Sequence, residues 1–209
     1  MAVRAKRPRL LVWLGWAVVI GLVVFFLQKY ALHYFVFTPK SYGTYFWPRI
    51  SWVVPHVAAG LLALVIGPMQ FWPAMRRDYP QAHRIAGRVY VIAVVVGSIA
   101  AFGLAAKIEG SPTYSLGLAA MGIVWLTLTF MAFVAIRRKN LIQHKEWMIR
   151  SYVATFAFIF FRLADDVMHS MHILTEGERS KLLAWASWAI PLMVTELILQ
   201  GRAVFKTRG

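Results

Sequence analysis

The chain has 209 residues, 60% hydrophobic and 15% charged, with a mean hydropathy of +0.61. That composition belongs to membrane proteins and excludes a disordered or highly charged soluble chain. Cysteine is absent, which excludes disulfides, iron–sulfur clusters and thiolate chemistry.

Runs apolar enough to cross about 30 Å of hydrocarbon as helices lie at roughly 10–28, 52–72, 88–107, 114–136, 147–168 and 182–200. The expected fold is an all-α integral membrane protein. It forms one polytopic domain over residues 1–209, with six transmembrane helices of which helices 2–5 form a four-helix core. The formal charge of +15 follows the connections. Arg4, Lys6, Arg7 and Arg9 precede the first span, and Arg76, Arg77, Arg84 and Arg88 join the second to the third. Arg137, Arg138, Lys139, Lys145 and Arg150 surround the fourth-to-fifth connection, and Arg202, Lys206 and Arg208 follow the sixth. The alternate connections are poor in cations, so the positive-inside rule places both termini in the cytoplasm and the protein in the cytoplasmic (inner) membrane. The basic balance is thus topology and attraction to the lipid bilayer's anionic headgroups, with no nucleic acid expected.

The first span is too long for a signal peptide, and no small-residue cleavage site follows it, so it reads as a retained anchor. The Lys29–Ser51 connection is rich in Tyr, Phe and Trp, as an interfacial belt would be. On the second span His56, Gly60, Ala63, Gly67 and Gln70 share one helix stripe. On the third, His83, Gly87, Tyr90, Val94, Gly97 and Ala101 do the same. Small and polar residues on one stripe face protein, while branched aliphatics face lipid. Both helices carry H-x-x-x-G, and a glycine one turn from a histidine leaves room beside the imidazole for a flat macrocycle. The same pattern also suits close helix packing beside a hydrogen-bonded histidine.

The fifth span carries polar residues along one face, from His144 through Ser151, Thr155, Arg162 and Asp165 or Asp166 to His169. Arg162 is spaced to reach Asp165 at i+3 and Asp166 at i+4, so an intramembrane charge cluster can neutralise itself. His144 and His169 lie roughly a membrane thickness apart. Topology therefore groups His56 with His169 or His172 outside, and His83 with His144 inside. Two histidine pairs from different helices suit two b-type haems, with Arg84, Arg88 and Arg150 available to the propionates of the inner one. Asp165, Asp166, His169 and His172 also offer a weaker divalent-cation pattern. No nucleophile elbow or phosphate loop accompanies them.

"HVAAGLLALVIGPMQF", "HRIAGRVYV" and "HKEWMIRSY", followed by Arg162, resemble the bacterial family of predicted membrane proteins catalogued as domain of unknown function 2306. The likeness covers about residues 52–166 and leaves helices 1 and 6 flanking. It implies that His56, Gly67, Pro68, Gln70, Phe71, His83, Arg84, Gly87, Arg88, Tyr90, His144, Trp147, Met148, Arg150 and Arg162 belong together, and it implies no activity.

Three functions fit. One is a haem b transmembrane electron carrier or quinone-linked redox subunit with a quinone or redox partner. Another is a transporter or proton-coupled carrier using Arg162, Asp165 and Asp166. The third is a non-catalytic membrane assembly or structural factor.

Overall fold

A computed structural model describes residues 9–206. Six segments are long and apolar enough to cross a membrane, and the described residues contain no strand. The first span is α1 (Arg9–Phe26), which widens into a π-helical turn, Leu27–Ala31, and tightens into a 3-10 turn, Leu32–Phe35. α2 (Pro39–Phe46) follows, broken at Gly43, whose φ of 64° and ψ of 179° are open only to glycine without strain. α3 (Ile50–Phe71) is the second span, and α4 (Pro73–Asp78) is a short connector. α5 (Pro80–Ala105) and α6 (Pro112–Arg137) are the third and fourth spans. The fifth comprises α7 (Leu141–Thr155) and α8 (Ala157–Ser170), and α9 (Glu176–Lys206) is the sixth.

The boundaries have local causes. α2, α4, α5 and α6 all start with proline, whose missing N–H is harmless in the first turn. Asn140 caps α7 by accepting from Gln143 N at 3.1 Å. α6 ends where Lys139 turns left-handed at φ 58°. Asn140 N then reaches Ala135 O and Lys139 N reaches Ile136 O, the paired bonds of a Schellman motif. α8 ends identically, with His172 as its left-handed residue at φ 55°, Ile173 N on Met168 O and His172 N on His169 O.

The core is built by α3 on α5, α5 on α6 and α6 on α7. Tyr90, Val94, Ser98, Ser151 and Ile159 are its largest fully enclosed side chains. α9 belongs to this core more than a flanking helix would. It packs along α6, α7 and α8, buries Leu183, Ala184 and Ser187, and receives Arg150 of α7 on Glu196 at 2.7 Å. α1 is the peripheral helix and, with Leu27 of the turn that follows it, reaches the core mainly through Val19, Val23 and Phe26.

The Gly67–Pro68 pair in α3 has a specific task. Proline cannot donate to the carbonyl four residues back, so Leu64 O loses its helical partner. The Tyr152 hydroxyl donates to that oxygen at 3.0 Å. The Tyr152 ring lies so close to Gly67 that a Cβ there would sit 2.0 Å from it. Glycine opens the space, proline frees the acceptor, and the α7 tyrosine fills both needs.

Candidate functional site

The fifth span is not one continuous polar face. It breaks at Phe156 (φ −78°, ψ −5°), and around the break α5, α6 and α7 share a network of hydroxyls. Tyr90 Oη lies 2.9 Å from both Ser151 Oγ and Thr155 Oγ1. Thr129 Oγ1 lies 2.7 Å from Ser151 Oγ, and Trp125 Nε1 donates to Thr155 Oγ1 at 3.1 Å. These polar groups satisfy one another inside the bundle, where an unpartnered hydroxyl is costly.

Beyond the break, the half of the bundle that holds α2 contains a partly open cavity of about 200 Å³. Its walls are mainly apolar, from Leu61 and Leu64 of α3, Leu104 of α5, Met121 of α6 and Ile159 of α8. Thr155 and Trp125 line it at the level of the hydroxyl network. Tyr30, Tyr34, Tyr45 and Phe46 close it from the aromatic connection. That connection is therefore a structured cover as well as an interfacial belt, and its aromatic rings pack on one another, as Tyr34 does edge-on to Tyr42 and Phe46.

Two residues give the cavity chemistry. His56 Nδ1 is 2.9 Å from the Gly97 carbonyl, which only accepts. Nδ1 therefore carries the proton, and Nε2 is left as the uncommitted ring nitrogen. One turn along the fifth span from Phe158, whose ring meets His56 edge-on at 5.5 Å, Arg162 also lines the cavity. Gly60, one turn from His56, likewise lines it, and a Cβ there would meet nothing within 4 Å.

The expected pairing of Arg162 with Asp165 or Asp166 is not formed. Asp165 accepts from Arg179 Nε at 2.8 Å, and Asp166 accepts from Lys29 Nζ at 2.5 Å and from the Tyr30 hydroxyl. Neither carboxylate lines the cavity; Asp165 is bonded to α9 and Asp166 to the π-helical turn after α1. Among the described residues Arg162 has neither an ion pair nor a hydrogen bond; its guanidinium lies 5.9 Å from the Phe161 ring centre and within electrostatic reach of Tyr34 and Tyr114.

The outer histidine pair does not assemble either. His169 lies eleven residues beyond Phe158, roughly 16 Å farther along at about 1.5 Å per residue. It is exposed, with Nδ1 3.5 Å from Arg179 Nη2. His172 is the exposed cap residue of α8, its Nδ1 on His169 O at 3.2 Å. Neither lines the cavity with His56. The divalent-cation pattern fails for the same reason: Asp165 and Asp166 are drawn to different partners, and no group of three potential ligands of the His, Cys, Asp or Glu type forms among the described residues.

At the opposite, basic end, His83 and His144 do come within electrostatic reach of each other. His144 Nδ1 is 2.9 Å from Ala132 O. His83 Nδ1 and Gln70 Nε2 are both buried without a hydrogen-bond partner, and Gln70 fills the space beside Gly87, where a Cβ would lie 3.3 Å from Oε1. Arg84 and Arg88 are exposed, as headgroup contacts are. Arg150 is 7% exposed, held by Glu196 and Glu146 and stacked 4.8 Å from the Trp147 ring. It joins α7 to α9, and its buried Nη1 makes no hydrogen bond.

The three motifs thus converge on one bundle: His56 and Arg162 at one end, Gly67, Pro68 and Tyr90 in the middle, His83 and His144 at the other. Residues 53–199 match the model of a family described as predicted membrane protein, DUF2306. The chain belongs to this family. No curated protein and no solved structure matches it. In this DUF2306 protein the match runs through α9, consistent with the packing of that helix on α6–α8.

Sequence reasoning missed the partners Lys29, Arg179 and Glu196 and the cover tyrosines. Glu196, a carboxylate inside an apolar run, was a usable signal that a cation must reach the sixth span.

Proposed function

We propose that the protein is an intramembrane binding protein, whose cavity takes a lipophilic molecule from the bilayer and fixes its polar head between Arg162 and His56. The carrier reading survives in a changed form, with Arg162 acting alone and both aspartates committed elsewhere. The observation that carries it is a partly open, mainly apolar cavity whose wall carries a guanidinium that makes no ion pair or hydrogen bond among the described residues. The basic end, with both chain termini, faces the cytoplasm in this reading, and the cavity lies in the opposite leaflet of the inner membrane. A quinone is within the class of molecules such a chamber admits.

The test is photolabelling in vesicles with an alkyl diazirine, followed by mapping of the adducts. Adducts should fall on Met121, Trp125 and Phe158 and should vanish in Gly60→Leu. That variant places a bulky side chain in the cavity from a position where an added Cβ meets nothing within 4 Å. Identical labelling of both proteins, confined to lipid-facing side chains, would remove the proposal.

A second reading rests on a separate observation, the buried and unpartnered His83 Nδ1 close to His144. Two imidazoles from different helices, with His144 oriented by the Ala132 carbonyl, are a donor set suited to one b-type haem. The Gln70 side chain beside Gly87 would turn aside to admit it. Such a haem would supply one-electron chemistry, and with a quinone in the cavity the protein would act as a quinone-linked redox subunit.

A further inference from the structure

We infer that the ligand of the cavity is a lipophilic anion: a single negative head on one chain or a small ring system. This rests on the binding reading above and deepens it by naming the ligand's charge. Around the cavity end of α8, three cations, Lys29, Arg162 and Arg179, meet two carboxylates, Asp165 and Asp166. Both carboxylates are held by the other two cations, and Asp166 also accepts from Tyr30. Arg162 keeps the surplus positive charge. A guanidinium does not shed its proton in a protein, so this charge is not removed by titration.

Asp166 lies within electrostatic reach of Arg162 but is bonded to Lys29 and Tyr30, and among the described residues Arg162 itself makes no hydrogen bond or ion pair. Tyr34 and Tyr114 lie within its electrostatic reach and line the same cavity, and their hydroxyls can donate alongside the guanidinium to one oxyanion. A neutral quinone or alcohol would accept from Arg162 and leave the charge unmatched. An anion would match it and gain charge-assisted hydrogen bonds.

Size narrows the class further. A cavity of about 200 Å³ falls below the roughly 300–1,000 Å³ of drug-sized ligand pockets, which suits one chain and not a two-chain phospholipid. Carboxylate and phosphate monoester heads share the required chemistry, as in a free fatty acid or a single-chain lipid phosphate.

The experiment measures how far dodecanoate, dodecyl phosphate and dodecanol, added before irradiation, protect the purified full-length protein from diazirine labelling. The anions should displace the probe at about 10- to 100-fold lower concentration than the alcohol, the ratio that a charge-assisted hydrogen bond contributes. Whichever anion is tighter names the source. Arg162→Gln should remove the preference by weakening both anions far more than dodecanol, and Arg162→Lys should restore part of it. Dodecanol binding as tightly as both anions to the parent protein would overturn this inference and leave the cavity as a binding site. Failure of all three to displace the probe would overturn both.

Discussion

Arg179 Nε donates to Asp165 Oδ1 at 2.8 Å, tying the start of α9 back onto α8 across the loop between them. The Arg179 side chain is only 8% exposed and also donates to Leu174 O, so this pair fixes the closing loop as well as neutralising the aspartate. Together with Lys29 and Tyr30 on Asp166, it leaves Arg162, one turn before Asp165, on the cavity wall without an ion pair among the described residues.

Asp165→Asn should therefore destabilise the protein by about 2–3 kcal/mol. Breaking a buried pair typically costs about 3–5 kcal/mol, and the aspartate here is partly exposed, at 27%. In a detergent melt this corresponds to a fall of roughly 5–10 °C for a chain of this size. Combining Asp165→Asn with Arg179→Gln should recover part of the loss, because neither charge is then left alone. Arg162→Gln, which breaks no ion pair, should melt close to the parent. A melt in which Arg162→Gln loses more than Asp165→Asn would reverse the assignment of partners.

Gly67→Ala should cost about 1–3 kcal/mol, the usual penalty for overpacking a filled core. The added methyl group meets the Tyr152 ring, and that ring is anchored by its hydroxyl on Leu64 O. Tyr152→Phe should cost about 1–3 kcal/mol, because it leaves a buried carbonyl unsatisfied beside Pro68. Pairing Gly67→Ala with Tyr152→Leu should cost less than the sum of the two separate changes. Strict additivity in melts would show that the ring and the glycine do not share the space.

The spans and the helix faces were legible in the sequence because they follow from length, hydropathy and a period of 3.6, which are local properties. All six runs became helices, and the stripes of His56 and Gly67 and of Tyr90 and Gly97 turned inward as their small residues required. Side-chain pairing was not legible, because Arg162 had two aspartates at suitable spacing, and only the positions of Lys29 on the π-helical turn and Arg179 in the first turn of α9 decided the competition. The break at Phe156 was likewise hidden, since no glycine or proline marks it and the hydroxyl network that accommodates it comes from three helices. The separation of His56 from His169 follows from depth, which periodicity alone does not resolve.

Topology gives a direct check. The loop around residues 107–111 and the loop around residues 138–140 lie at opposite ends of the bundle, and the second is basic. Reporter fusions at residues near 110 and 140 should give opposite signals, with the 140 fusion cytoplasmic. Equal signals would be incompatible with α6 crossing the membrane.

The haem reading is tested by which histidines matter. His83 and His144 are the pair that the bundle brings near each other, with His144 oriented through Ala132 O and His83 holding an unpartnered ring nitrogen. His56, His169 and His172 are separated by depth or by their hydrogen bonds. The reduced protein, purified after expression with supplemented haem, should show one six-coordinate b-type spectrum. His83→Ala and His144→Ala should each abolish it, because a bis-histidine site loses its geometry when either ligand is removed. His56→Ala, His169→Ala and His172→Ala should leave it intact. Loss of the spectrum in His56→Ala would move the haem into the cavity and displace the lipophilic ligand from it. A colourless protein under all these conditions would sink the redox reading and leave Arg162 and the cavity as the functional centre.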